Sequence, residues 1–377
     1  MTDLTEAVRR RLVAEAAEPT AENVAAALRA EQGLADSHTV LRVIEDLRRE
    51  TTGFGPLEPL LELIGLTDIV VNGADAVYVD CGQGLQRADV HFADAESVRR
   101  LAQRLAALAG RRLDHASPWV DARLPGGVRL HAVLAPIARP GPTISLRVPG
   151  AQILSLHDLV ELGALPEWCA AALRQLVAAR VAYVISGGTG SGKTTLLSAL
   201  LAECPVNERL VLVEDSSELR PRHPHVVALE ARPANVEGAG RVSMRDLVRQ
   251  ALRMRPDRLV VGEVRGAEVV DLLAALNTGH DGGCGTIHAN SVSDVPARFE
   301  ALAVAAGMSR QAVHSQLAAG LQVAVHLGRD PHGRRRLAEV GILSPHAGGL
   351  VASETAFTVG ATGPARGAAW ARWEALL

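Results

Sequence analysis

The chain of 377 residues is long enough for two or three domains with a substantial core. A formal net charge of −3, from 39 Lys plus Arg against 42 Asp plus Glu, leaves no whole-molecule attraction for nucleic acid or an anionic membrane. Four scattered cysteines, Cys81, Cys169, Cys204 and Cys284, form no C-x-x-C pair and argue against a disulfide framework or a thiolate zinc site.

Residues 1–52 read as an all-helical extension. Leu4, Val8 and Leu12 share one face, Ala21 to Arg29 forms a second segment, and Ser37 can cap a third carrying Val40, Val43, Ile44 and Leu47. A packing role suits this segment better than a catalytic one. The N-terminus lacks the basic and apolar regions of a signal peptide. No stretch reaches the roughly 18 uninterrupted apolar residues of a membrane span. The most hydrophobic region, Trp168 to Ser186, is broken by Arg174 and Arg180, so the expectation is a cytoplasmic protein that can dock on a membrane partner.

Residues 53–150 read as a small α+β domain. Gly53 to Pro59 is a turn-rich opening, after which Ile69–Asn72 and Val77–Asp80 alternate as strands. Asp94 opens a helix that Gly110 ends. Val128–Leu134 and Thr143–Val148 are the next strands, and Pro149-Gly150 is a linker.

From 151 to 345 strands and helices alternate, which argues an α/β domain with a doubly wound, mostly parallel sheet. Ser155 starts a helix in capping-box fashion, Pro166 opens another, and the apolar run Val181–Ser186 is a buried strand. It is followed by Gly187, Gly188, Thr189, Gly190, Ser191, Gly192, Lys193, Thr194 and Thr195, which satisfies G-x-x-x-x-G-K-[ST]. Leu196, Leu197, Leu200 and Leu201 then recur at helical spacing up to Pro205. Strand, glycine loop and helix make backbone N–H groups converge on phosphates. Lys193 is the only lysine, leaving 39 − 1 = 38 arginines. A slim stem with a compact charge reaches under a small loop where a planar guanidinium does not. The strands that follow are Leu210–Glu214, Val226–Glu230, Arg258–Val261, Gly285–His288, Val323–Leu327 and Arg336–Leu343. Arg334-Arg335-Arg336 reads as a solvated hairpin tip, and residues 346–377, rich in Gly and Ala, as a peripheral strand with a loose tail.

A phosphate loop only binds; hydrolysis also needs a base, a magnesium site and a charge neutraliser. Arg258 to Glu263 is an apolar strand ending in a carboxylate at the sheet edge that would carry the loop. Gly262 stands where an Asp is usual, so magnesium would rest on Thr194 with Glu263 acting through water, and Glu263 is the candidate base. The competing role for Glu263 is an ion pair with Arg265. Glu214 or Glu218, after another strand, could order water or metal, or could cap the next segment. His280 and His288 flank Gly282-Gly283-Cys284-Gly285 and suit sensing the γ-phosphate, or bridging to the first domain, better than metal binding.

Together these motifs resemble the type II/type IV secretion ATPase superfamily, with the TadA/CpaF branch of tight-adherence (Flp) pilus assembly the nearest in appearance. The resemblance runs through GFGPLEPLL, TDIVVNG, SPWVDARLPGGVRLHAV, GPTISLR, GGTGSGKTT, VEDSSEL, ALRMRPDRLVVGEVRG and NTGHDGGCGTIHANS. It implies a RecA-like P-loop ATPase domain, ATP and Mg2+ as cofactors, and a homo-hexameric ring working on inner-membrane platform proteins. By the same resemblance, Lys193 and Thr194 are the Walker A pair and Glu263 the Walker B glutamate. Glu214 to Glu218 form the aspartate box, and His280 and His288 the histidine box. Arg129 and Arg147 match arginines that reach the γ-phosphate, with Arg123 a third candidate. Gly283-Cys284-Gly285 replaces bulkier residues and is expected to loosen its loop. The tetracysteine zinc motif of some relatives is absent.

The function expected is ATP hydrolysis by a ring motor for pilus assembly or secretion. The alternative from another class is a DNA motor of the same fold, although 3% aromatic residues and no basic stripe leave little for stacking on bases. A third reading is a nucleotide-gated scaffold without useful turnover.

Overall fold

The computed structural model describes residues 7–8, 10–12, 14–15, 17, 20–32, 39–41, 43, 53–82, 84–149, 153–232, 234, 239–279, 281–330, 332–346, 348–360 and 363–377. They fall into two compact units, Met1–Ala151 and Gln152–Leu377.

In the first unit, helix α1 (Ala21–Gln32) buries Val24, Ala27 and Leu28 with Val8, Leu12 and Val43. These positions recur at three- and four-residue spacing, so a single stripe of the helix is apolar. The expected helix positions Leu4, Ser37, Ile44 and Leu47 lie outside the described residues. The turn-rich opening folds as a 3-10 helix, Gly55–Glu62, with proline in its first turn, where a missing N–H costs no hydrogen bond. The strands are β1 (Asp68–Asn72), β2 (Val77–Asp80), β3 (Leu85–Arg87), β4 (Trp119–Arg123), β5 (Arg129–Val133) and β6 (Thr143–Arg147). They form an antiparallel sheet in the order β3-β2-β1-β6-β5-β4. Helix α2 (Ala95–Leu108) is capped by Asp94, whose carboxylate accepts the Ser97 N–H at 2.7 Å. Its Val98, Leu101, Ala102 and Leu105 join Ile69, Val71, Leu130, Ile144 and Leu146 in one core. The alternate strand residues face away from that core, as the two-residue period requires.

The second unit opens with α3 (Leu156–Glu161), started by a Ser155–Asp158 capping box, and α4 (Glu167–Ala178). Then follow β7 (Tyr183–Gly187), α5 (Lys193–Ala202), β8 (Leu210–Glu214), β9 (Val226–Glu230), α6 (Met244–Ala251), β10 (Arg258–Val264), α7 (Glu268–Leu276), β11 (Cys284–Ile287), α8 (Val295–Ala305) and α9 (Arg310–Gly320). The chain ends in β12 (Val323–Arg329), β13 (Arg335–Pro345), β14 (Val351–Gly360), β15 (Gly363–Arg366) and α10 (Trp370–Leu376). The strand order is β15-β14-β13-β12-β7-β11-β10-β8-β9. From β12 to β9 neighbours are parallel, while β13, β14 and β15 add antiparallel strands to one edge. Each sheet face has its own core. Leu173, Leu196 and Leu200 lie in one, and Val248, Leu273, Phe299 and Leu317 in the other. Central strands buried on both faces explain their unbroken apolar sequence.

The C-terminal segment differs from the expected loose tail. β14 pairs with β13 from Val351 to Thr358, and Ala369 and Trp373 are buried in the larger unit's core. Phe357 stacks edge-on against Trp168, Trp370 and Trp373, with centroids 5.5, 5.9 and 5.3 Å away. Gly and Ala dominate the composition here, but the two tryptophans supply the area that anchors the helix.

Candidate functional site

The carboxyl ends of five strands define one edge of the larger sheet, carrying Gly187 (β7), Glu214 (β8), Glu263 (β10), His288 (after β11) and Arg329 (β12). In a doubly wound fold this edge is where ligands sit. The loop from Gly187 to Lys193 leaves β7 and enters α5 without a side-chain cap. A Cβ at Gly187 would stand 2.6 Å from both Leu327 O and Ser191 Oγ, so only glycine fits there. Beneath it, Ser186 Oγ is 3.0 Å from His326 Nδ1, a buried contact that ties β12 to the base of the loop. Burial pushes His326 below its usual range and keeps it neutral.

Lys193 is only 7% exposed. Its ammonium donates to Gly187 O at 3.0 Å and Gly188 O at 2.9 Å, and lies 3.5 Å from His288 Nε2. Desolvation lowers its pKa, opposed by the nearby Glu263 carboxylate. Ser191 Oγ is buried without a hydrogen-bond partner. An uncapped helix N-terminus, a buried ammonium held by two loop carbonyls and a histidine, and an unsatisfied hydroxyl together fit an anion such as a phosphate. Thr194 and Thr195 lie half-buried in the first turn of α5, and Gly188 and Thr189 are exposed at the mouth of the loop.

Glu263 meets an arginine and an imidazole. Its Oε2 accepts from Arg265 at 2.6 Å, so the ion pair weighed from the sequence is present. Its Oε1 lies 2.7 Å from His288 Nε2, within ion-pair range but not aligned as a hydrogen bond, and that oxygen is buried with no hydrogen-bond partner. Desolvation first, and the Lys193 charge second, push the His288 pKa down, so the ring is neutral at neutral pH. Its Nε2, when unprotonated, can then accept from Lys193. Glu268 was not foreseen from the sequence. Its buried carboxylate accepts from Arg265 N at 2.7 Å and Gly266 N at 2.8 Å, fixing the turn that follows Glu263. An acid in the first turn of the next helix was the available signal.

Glu214 is 3% exposed. Its Oε1 accepts from Glu218 N at 2.9 Å and Leu219 N at 3.0 Å, which is the capping role, while Oε2 is buried without a hydrogen-bond partner. Desolvation, its largest perturbation, raises its pKa to about 7. Gly262 is where it is because of Glu214: a Cβ there would stand 2.7 Å from Glu214 Cγ and 3.1 Å from its Oε1. The space that a side chain at position 262 would take is therefore filled by the Glu214 carboxylate of the neighbouring strand. Glu218 is exposed, and its charge raises the Glu214 pKa. The Thr194 hydroxyl and the two unpartnered oxygens of Glu263 and Glu214 are hard donors of the kind magnesium takes.

Of the expectations for the histidine segment, one lies beyond what the structure describes and one comes out differently. His280 lies outside the described residues. Gly283-Cys284-Gly285 does not loosen its loop: Cys284 and Gly285 are buried in β11 between β7 and β10. A Cβ at Gly285 would stand 2.5 Å from Val261 O, so the small residue serves close strand packing.

In the first unit, antiparallel register sets Arg123 opposite Arg129, Arg129 opposite Arg147, Arg147 opposite Asp68, and Asp68 opposite Asp80. Directly opposed residues share a face, so three arginines form one row on the side away from the core. Like charges opposed in this way are destabilising, and the row ends on Asp68, a carboxylate of opposite sign facing Arg147.

The family described as "Type II/IV secretion system protein" matches residues 50–361. A putative conjugal transfer protein of Mycobacterium tuberculosis is 58% identical over 310 residues, covering 81% of this chain and 88% of the relative. The type IV secretion system protein PtlH of Bordetella pertussis is 34% identical over 258 residues, covering 62% of this chain and 76% of the relative. Among solved structures, the ATPase DotB of Legionella pneumophila shares the fold, with a TM-score of 0.53 at 20% identity over 78% of this chain and 80% of that one.

Proposed function

The chain belongs to the type II/IV secretion system protein family, a family of nucleotide-binding ATPases, and from that premise we propose that it hydrolyses ATP as a ring motor for pilus assembly or secretion. The observation that carries this reading is the run Lys193, His288, Glu263 on the carboxyl edge, with separations of 3.5 and 2.7 Å, beside an uncapped phosphate loop. The loop N–H groups and Lys193 bind the β- and γ-phosphates. Thr194, with Glu214 through its unpartnered oxygen and Glu263 only through a bound water, would hold magnesium, which supplies neutralisation of phosphate charge when bound. Glu263 Oε1 accepts the proton of the attacking water as its oxygen bonds to the γ-phosphorus and the β–γ bridging bond breaks, and neutral His288 orients that carboxylate. Arg129 and Arg147, with Arg123, supply positive charge to the γ-phosphate.

Within the family, the motif set favours the tight-adherence branch, a hexamer, and inner-membrane platform proteins as partners. Among the described residues no helix is long and apolar enough to cross a membrane, which suits a cytoplasmic motor docked through partners. Turnover of ATP by the purified protein is the test. Glu263→Gln is expected to lower kcat roughly 10²–10⁴-fold. Lys193→Ala and Lys193→Arg are both expected to abolish turnover, because the buried site is shaped for a slim ammonium. Near-normal hydrolysis by the arginine variant would overturn the steric part, and turnover unchanged in all three the whole reading. The conjugal-transfer name of the mycobacterial relative favours a second reading, a DNA motor. Stimulation of turnover by DNA, lost steeply with salt, would select it.

A further inference from the structure

The hairpin that the sequence presents as a solvated basic tip lies against the phosphate loop. Arg329, the last residue of β12, donates through one terminal nitrogen to Gly190 O at 3.2 Å and through the other to Gly333 O at 2.7 Å. One guanidinium thus bridges the crest of the loop and the turn of the hairpin. That turn is itself fixed: Asp330 accepts the backbone N–H groups of His332 and Arg334, each at 2.9 Å. Across the hairpin Arg329 is directly opposite Arg335, and a Cβ added at Gly192 would stand 3.8 Å from Arg335 Cδ. Two opposed arginines on one face repel, and here both border the loop that fits an anion.

We propose that Arg329 is a positioning residue for phosphate binding, strapping the crest of the loop to the β12–β13 hairpin. The reason is the peptide plane. A trans peptide points its C=O and its N–H in opposite directions, so holding Gly190 O outward on the guanidinium turns the Ser191 N–H inward. That N–H now makes only a long bond of 3.4 Å, to Gly188 O, inside the loop. Its direction toward an incoming phosphate is therefore set by a residue that need not touch the nucleotide. The arginine fork sends two separate terminal nitrogens to the two carbonyls, whereas a lysine would have to reach both from a single nitrogen.

This inference rests on the phosphate-loop reading above, and the experiment separates the two. Binding of ADP to the full chain is measured by calorimetry, and binding of pyrophosphate by competition, for wild type, Lys193→Ala, Arg329→Ala, Arg329→Lys and Arg336→Ala. If wild type binds neither probe, the phosphate-loop reading fails and this one with it. Where wild type binds and Lys193→Ala does not, Arg329→Ala is expected to weaken both probes about tenfold, the loss typical of a hydrogen bond from a charged donor. Arg329→Lys should recover part of that, and Arg336→Ala, an exposed arginine of the same hairpin, should bind as wild type. Unchanged binding by Arg329→Ala overturns the proposal. So does an equal loss in Arg336→Ala, which would mean general charge, or a loss for ADP without one for pyrophosphate, which would put Arg329 at the nucleoside end.

Discussion

Glu214 shows what a single buried carboxylate does to this site and to the stability of the unit that carries it. Burial holds its pKa near 7, above the ordinary 4.5, so the folded protein keeps a proton there that the unfolded chain has already released. The sign follows. Its contribution to stability is complete below about 4.5 and is lost as pH rises to about 7. Glu214→Gln keeps an oxygen for the Glu218 and Leu219 N–H groups and removes the titration. The stability of wild type relative to this variant should therefore fall by about 2–3 kcal/mol between pH 5 and pH 8. Urea unfolding at the two pH values measures this, and a constant difference would show that the carboxylate is not desolvated as described. At this scale the sequence was highly legible where chemistry dictates residue type. Lys193, Glu263 and His288 are picked out by separate motifs, and His288 lies within hydrogen-bond or ion-pair range of the other two. The Gly262–Glu214 relation was not legible, because a steric fit between adjacent strands leaves no mark in either strand's own periodicity.

Among the elements, the clearest contrast is between the central strands and the C-terminal segment. β7, β8 and β10 announce themselves because burial on both faces demands continuous apolar runs. Helix α10 does not, because its seven residues are too few to show a period and Gly and Ala precede it. Its importance lies in Trp373, 3% exposed and packed edge-on against Phe357. Trp373→Ala should destabilise the protein by roughly 3–5 kcal/mol. A urea midpoint that does not move would return this segment to the peripheral role its composition suggests. The β12–β13 hairpin teaches the same lesson from the other side: its run of arginines is exposed as expected, but the sheet order sets β12 beside β7 and so brings Arg329 to the loop.

For the molecule as a whole, the division into two units places the phosphate loop and the arginine row on separate cores. On the proposed function, charge that the arginines supply to the γ-phosphate should matter more for turnover than for binding. Arg129→Ala and Arg147→Ala are therefore expected to leave ADP binding largely intact while lowering kcat by roughly a thousandfold or more. Equal losses in binding and in kcat would instead make these arginines part of the ground-state site. The row also illustrates what register adds. From the sequence Arg123, Arg129 and Arg147 are three separate candidates, and pairing of β4, β5 and β6 makes them one line of charge. By itself the sequence determined the chemistry: the loop, its lysine, the acids after apolar strands and the family they belong to, because each depends on residue type at short spacing. Only the tertiary structure decided which acid fills the gap at Gly262, what Glu268 and Arg329 hold, and that the C-terminal helix is core. Those depend on the order and register in which strands far apart in the chain are laid side by side.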